Sequence, residues 1–181
     1  MSENESRVRR MEEKDLKRVL EIQEESYREE LLEEEEIFRK KLQSSGETCW
    51  VAELKEEKER DFEVKAYFVC YPWRGDDIPV LHSSGDYLVQ EPDRFYFADL
   101  AVSPSARSKG LAASLIAEAY LFAARASFPT INLISLPSAV QFWTDQNFVP
   151  RFVTPDQQQL IDDVYGPGAL CLYQDVSDRT L

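Results

Sequence analysis

Of 181 residues, only one is histidine and three are cysteine. The thiols, Cys49, Cys70 and Cys171, form no CxxC pair. With so few soft or imidazole ligands, neither a zinc centre nor another metal is expected. Separated thiols in odd number read as reduced core residues, the usage of a cytoplasmic protein. A Ser-His-Asp hydrolase would have to use His82, which lies in PVLHSSGD in a chain without a nucleophile elbow, and that class is set aside. Positive charge is also scarce: 21 Lys and Arg face 34 Asp and Glu, for a net charge of -13. Phosphate backbones and anionic bilayers are bound through basic surface, so neither nucleic acid nor membrane is an expected partner. No apolar run approaches the roughly 20 residues that span a bilayer, and MSENESRVRR carries no apolar stretch behind its charges, so no secretory leader is expected. Neither a Walker A loop nor GxGxxG occurs.

What is present suits a globular fold. At 43% hydrophobic and 12% aromatic residues, the chain is too apolar for disorder. Its length fits one domain over residues 1–181. The acidic excess either serves solubility or draws a cationic partner, a small amine or a basic peptide. Monomer and homodimer are equally compatible with it.

Periodicity gives a mixed α/β order. Arg7–Met11 reads as a strand, and Leu16, Val19, Leu20 and Gln23 mark the inner face of a helix opening near Asp15. A second helix is predicted over Glu33–Leu42, with Ile37, Phe38 and Leu42 inward. The acidic run Glu29–Glu36 is either a solvated face or the rim of a cleft. Thr48–Ala52 and Val64–Tyr71 read as paired strands. The segment 72–93 is a long loop of the kind that covers sites. Arg94–Val102 is the strongest strand, Lys109–Phe128 the strongest helix, and Thr130–Leu136 a strand again. That order implies a parallel βαβ unit with a right-handed crossover. A short helix opens at Pro137. Strands are predicted at Phe148–Val153 and Ala169–Val176, with a turn at Gly166–Gly168 between them.

The chemistry concentrates in ADLAVSPSARSKGLA, residues 98–112. A strand end, a turn and a helix start follow one another, with R-x-x-G-x-A at Arg107, Gly110 and Ala112. The first amides of a helix lack internal partners and sit at its positive end, so they can hold an anion. Gly110 and Ala112 keep side-chain bulk away, and Arg107 and Lys109 add charge. Such a loop suits a pyrophosphate gripped by main chain; its bland alternative is a tight turn with solvated basic residues.

This arrangement resembles the GNAT superfamily of acetyl-CoA-dependent N-acetyltransferases. Leu100-Ala101-Val102 and Arg107–Ala112 match its Q/R-x-x-G-x-G/A signature, and AVQFWTDQNF, residues 139–148, matches its second helical motif with Asn147 at the glycine. Asparagine tolerates the left-handed backbone needed there. The resemblance covers Val8–Val153. It implies a mixed, mostly antiparallel sheet with a central parallel βαβ unit, whose two strands splay into a cofactor cleft. By the same resemblance, the pantetheine arm of acetyl-CoA bonds to the backbone of Leu100, Ala101 and Val102. The pyrophosphate lies on Ser108, Lys109, Gly110, Leu111, Ala112 and Ala113, and Phe142 and Trp143 line the cofactor side.

Acetyl transfer to an amine poses two proton problems, since only the neutral amine attacks and the thiolate must be stabilised. Family members often use a tyrosine acid on the second-motif helix. Trp143 stands there instead and is only a donor; either the thiolate leaves with less help or another group serves, with Tyr165 near the C-terminal turn as a candidate acid that alternatively is a core or turn aromatic. For the base, the strand offers Tyr96 and Asp99. Strict alternation puts them on opposite faces unless a bulge intervenes; otherwise Asp99 is a carboxylate paired with an arginine. The long loop is similar to that of arylalkylamine N-acetyltransferases, which implies an amine pocket from Tyr27, Trp73 and Tyr87, residues that alternatively pack the loop on the sheet. The expected activity is acetyl transfer to a small cationic or aromatic amine by direct attack in a ternary complex. A protein acceptor, or a CoA-binding module with little catalysis, are the alternatives.

Overall fold

A computed structural model describes residues 5–57, 59–79, 81–82 and 89–178. Its centre is one seven-stranded sheet in the order β1-β2-β3-β4-β5-β7-β6. The strands are β1 Glu5–Arg10, β2 Cys49–Lys55, β3 Glu63–Trp73, β4 Arg94–Val102, β5 Thr130–Ser135, β6 Val149–Pro150 and β7 Leu170–Asp175. The helices are α1 Leu16–Ser26, α2 Glu35–Ser45, α3 Leu111–Arg125, α4 Val140–Asp145 and α5 Pro155–Tyr165. All recorded strand pairs are antiparallel except β4–β5, which run parallel with α3 as their crossover.

Two cores follow from strand alternation. On one face, Phe95 and Phe97 of β4, with Phe68 and Cys70 of β3, pack under Leu111, Leu115, Ile116, Ala119 and Tyr120 of α3 and Trp143 of α4. On the other, Tyr96, Tyr67 and Val69 pack under Leu16, Val19 and Ile22 of α1 and Phe38 of α2. α5 joins this second face through Ile161, which meets Ala169 and Cys171. Cys49, Cys70 and Cys171 are free and buried, and burial pushes their thiols above the usual range.

The parallel pairing is short. It runs only from Phe95 opposite Ile131 to Phe97 opposite Leu133, after which the strands part. On its other side β4 stays paired with β3 up to Val102, with one irregularity: Val69 lies opposite Asp99 and Cys70 opposite Phe97, which leaves Ala98 extra. This is a β-bulge, and it reverses the alternation.

The C-terminal third differs from the sequence reading. The strand over Phe148–Val153 shrinks to Val149–Pro150 because the chain turns into α5, which periodicity missed. Its local signal is a capping box: Thr154 Oγ1 accepts from Gln157 N at 3.2 Å, Gln157 Oε1 accepts from Thr154 N at 2.9 Å, and Pro155 fills the first turn. The second helix starts at Glu35, so Glu33 falls outside it and is buried. Among the described residues, no helix is long and apolar enough to cross a membrane.

Candidate functional site

Where β4 and β5 separate, a cavity of about 210 Å³ passes through the sheet. Phe97 and Trp143 line it from the α3 face; Tyr27, Glu33 and Asp99 line it from the α1–α2 face. It adjoins a groove that runs to the start of α3, and Ser26, Tyr27 and Leu100 belong to both.

The groove ends at main chain. Ser108 has φ 62° and Gly110 φ 79°, so the chain makes two left-handed steps before α3 begins. The first helical bond recorded there is Ser114 N to Gly110 O, 3.0 Å. The amides of Leu111, Ala112 and Ala113 therefore precede the helical ladder, at the positive end of a 15-residue helix. A Cβ on Gly110 would meet no atom within 4 Å, and Gly110 lines the groove. These features fit a diphosphate held by amides. Arg107 is exposed at the rim. Lys109 is engaged elsewhere: its Nζ meets Glu56 Oε1 at 2.5 Å, from the β2–β3 turn. Phe142 is 40% exposed and lines this groove, whereas Trp143 is buried against Phe97 and Phe148 and lines the cavity.

The cavity end is made of side chains. The bulge at Ala98 puts Asp99 on the same face as Tyr96, against the strict alternation read from sequence. Among the described residues, no arginine pairs with Asp99. Instead Tyr67 Oη donates to its Oδ2 at 2.7 Å, and Tyr27 Oη lies 2.9 Å from its Oδ1. Burial raises the Asp99 carboxyl to about 6, against the Tyr67 bond and the Lys41 charge, which lower it. It is therefore mostly ionised at neutral pH, yet a better proton acceptor than an ordinary aspartate. Burial, then the Asp99 charge, push the hydroxyls of Tyr27 and Tyr67 well above their usual range, so both remain protonated donors.

Other candidates fall in different places. Tyr96 is buried beside Tyr71, ring centroids 5.5 Å apart, and is not among the lining residues of the cavity. Tyr165, the last residue of α5, does line it. Trp73 packs edge-on against Tyr71 and donates Nε1–H to Asp77 O at 3.0 Å, away from the cavity. Tyr87 lies outside the described residues.

Glu33, Tyr67 and Lys41 were not read from the sequence. Glu33 is held by Gln23 on both backbone sides, N to Oε1 at 2.8 Å and O to Nε2 at 2.9 Å. Its carboxylate pairs with the buried Lys41 and accepts the amide of His82 at 3.0 Å. Gln23 on an otherwise apolar helix face was the available signal, since a buried amide requires a partner. The loop after β3 is thus strapped over the cavity at His82 and Leu81. It is strapped again at Asp76, which meets Arg94 at 2.8 Å and Arg151 at 3.3 Å.

The sequence pattern of the acetyltransferase (GNAT) family matches residues 16–148. Among solved structures, the chain is similar to the loading GNATL domain of CurA from Lyngbya majuscula, with TM-score 0.72 and 11% identity over 97% of this chain and 100% of that one. It is similar to the ribosomal-protein-S18-alanine N-acetyltransferase of Escherichia coli, with TM-score 0.60 and 14% identity over 95% and 94%. GphF, a GNAT-like decarboxylase solved with isobutyryl-CoA, gives 0.67 and 13% over 94% and 99%. At these identities the likeness is one of fold. No curated protein matches the sequence significantly.

Proposed function

The chain belongs to the acetyltransferase (GNAT) family, and from that premise we propose that it is an N-acetyltransferase moving an acetyl group from acetyl-CoA to a small primary amine by direct attack in a ternary complex. The observation that carries this reading is the bulge at Ala98, which turns Asp99 into the gap between β4 and β5 at one end of a groove whose other end is the Gly110 turn.

Acetyl-CoA supplies an acyl group activated as a thioester. The amides from Ser108 to Ala113 would hold its diphosphate, and the backbone of Leu100, Ala101 and Val102 its pantetheine arm. Asp99 takes the proton of the incoming ammonium, directly or through water, and Tyr67 fixes the direction of the carboxylate. Tyr165, which lines the cavity, is the group proposed to protonate the leaving sulfur, and it regains its proton from the nitrogen that has attacked, directly or through water; Trp143 shapes the wall. Tyr96, buried against Tyr71 and not among the residues that line the cavity, is given no direct part.

Cavity size and lining favour a small amine over a polypeptide. A volume of about 210 Å³ is below the range typical of drug-sized ligands, roughly 300–1,000 Å³. Leu31, Leu81 and Tyr165 line it, as do Asp99 and Glu33, of which Glu33 is already paired with Lys41 and Asp99 is the carboxylate left for a cation. An aryl- or alkylamine with one positive charge and an apolar body matches that lining. The test is thiol release from acetyl-CoA with a panel of such amines and with lysine-rich peptides. Release with small amines alone supports the reading. Release with peptides alone makes the protein a protein acetyltransferase, and binding without release makes it a CoA-binding module.

A further inference from the structure

The Tyr27 hydroxyl stands between two acceptors. Its oxygen is 2.9 Å from Asp99 Oδ1 and 2.7 Å from the main-chain oxygen of Leu100. A phenol has one proton to donate, so two arrangements exist. When Asp99 is ionised, Tyr27 donates to the carboxylate, and Leu100 O is left to other donors. When Asp99 is protonated, its hydroxyl donates to Tyr27 Oη, and Tyr27 donates onward to Leu100 O. The oxygen of Leu100 belongs to the stretch of β4 beyond its last pair with β5, and Tyr27 and Leu100 line both the cavity and the groove. The next outward carbonyl, Val102 O, is similarly approached by Ser26 Oγ at 3.5 Å. The end of α1 thus caps the carbonyls that an arm laid along β4 would use.

We propose that Tyr27 is a positioning residue that links the protonation of Asp99 to occupation of the Leu100 carbonyl by the acyl carrier. An amide N–H of the carrier at Leu100 O weakens the bond Tyr27 makes there and favours donation to Asp99, which stabilises the carboxylate. By reciprocity, ionised Asp99 favours carrier binding. The base is therefore charged when the carrier is in place. Once Asp99 has taken a proton from the amine, Tyr27 turns back to Leu100 O, and the spent carrier is held less well. Proton count is conserved: the proton on Asp99 leaves to solvent as the carrier binds, and one arrives from the ammonium during turnover.

Other ionisable groups stand near Asp99. Tyr67 donates to it from β3, Glu33 and Lys41 act on it from the α1–α2 side, Tyr165 of α5 lines the same cavity, and Cys70 of β3 lies on the opposite face of the sheet. The hydroxyl of Tyr27 is the donor placed within reach of both Asp99 and Leu100 O, so its removal tests the link. The inference rests on the CoA site proposed above.

The test is calorimetric titration with dephospho-CoA, which lacks the titrating phosphomonoester, in buffers of different ionisation enthalpy from pH 5 to 8. Wild type should release a fraction of a proton per carrier near pH 6 and almost none at pH 8, where Asp99 is already ionised. Affinity should rise about fivefold from pH 5 to 7, the effect of one hydrogen bond of ordinary net strength. Tyr27→Phe and Asp99→Asn should bind with neither the release nor the pH dependence. Equal release in wild type and Tyr27→Phe, no release in wild type, or proton uptake, which desolvation of Asp99 alone gives, overturns the link while leaving the CoA site standing. Absence of binding in wild type overturns both.

Discussion

Around Gly110 the groove is made of main chain, and around Asp99 it is made of side chains. The first end comes from one continuous stretch, residues 102–113, whose amides are aimed by two left-handed steps and a helix start. The second draws Tyr27 from just after α1, Glu33 from the α1–α2 connection, Tyr67 from β3, Asp99 from β4 and Tyr165 from α5. A main-chain site is specified by where bulk is absent, and one glycine can encode it. A side-chain site is specified by charges that must be desolvated and held, so it depends on several elements at once.

The largest expected effect breaks the first end alone. Gly110→Glu should weaken CoA binding at least about a thousandfold, since a carboxylate would meet the diphosphate. Gly110→Ala meets no neighbour and should cost only about 1 kcal/mol of backbone strain. Calorimetry and thermal melts separate the two variants. At the second end, Lys41→Met leaves the buried Glu33 carboxylate without its counter-charge and should lower stability by about 3–5 kcal/mol, while the pair Glu33→Gln with Lys41→Met should recover most of it. Denaturant melts read both.

Asp99→Asn should lower kcat about 10²–10³-fold and remove the limb of the pH–rate profile that rises through about 6. It should also stabilise the fold. A carboxyl raised to about 6 from 3.8 binds its proton more tightly when folded; its contribution to stability is full below the lower value and is lost as pH rises through the higher. The cost of keeping it ionised at neutral pH is of the order of 2–3 kcal/mol. The stability gain of Asp99→Asn should therefore be present at pH 8 and vanish at pH 4. The smallest effect is that of Tyr67→Phe. Loss of one donor should move the rising limb to higher pH with little loss of maximal rate, which a pH–rate profile checks.

The same contrast explains what the sequence disclosed. Strand β4 was legible to the residue because RFYFADLAV is apolar on both faces between turn signals. Helix α3 and the Gly110 turn were legible because their signals are local. The direction of Asp99 was not: a bulge depends on how β3 and β4 pair, and no residue in β4 announces it. Glu33 sat inside an acidic run read as either solvated or rim. Its burial needs Gln23, Lys41 and His82 together, and these come from three segments. Helix α5 did carry a local signal in TPDQ, but its modest apolar face, with only Ile161 buried, concealed it.

The most direct measurement is a crystal structure with bound CoA. The account predicts the diphosphate on the amides of residues 108–113, the arm along Leu100–Val102, and the sulfur at the gap between β4 and β5, facing Asp99. A diphosphate bound elsewhere, or a sulfur separated from Asp99 by the sheet, would contradict it.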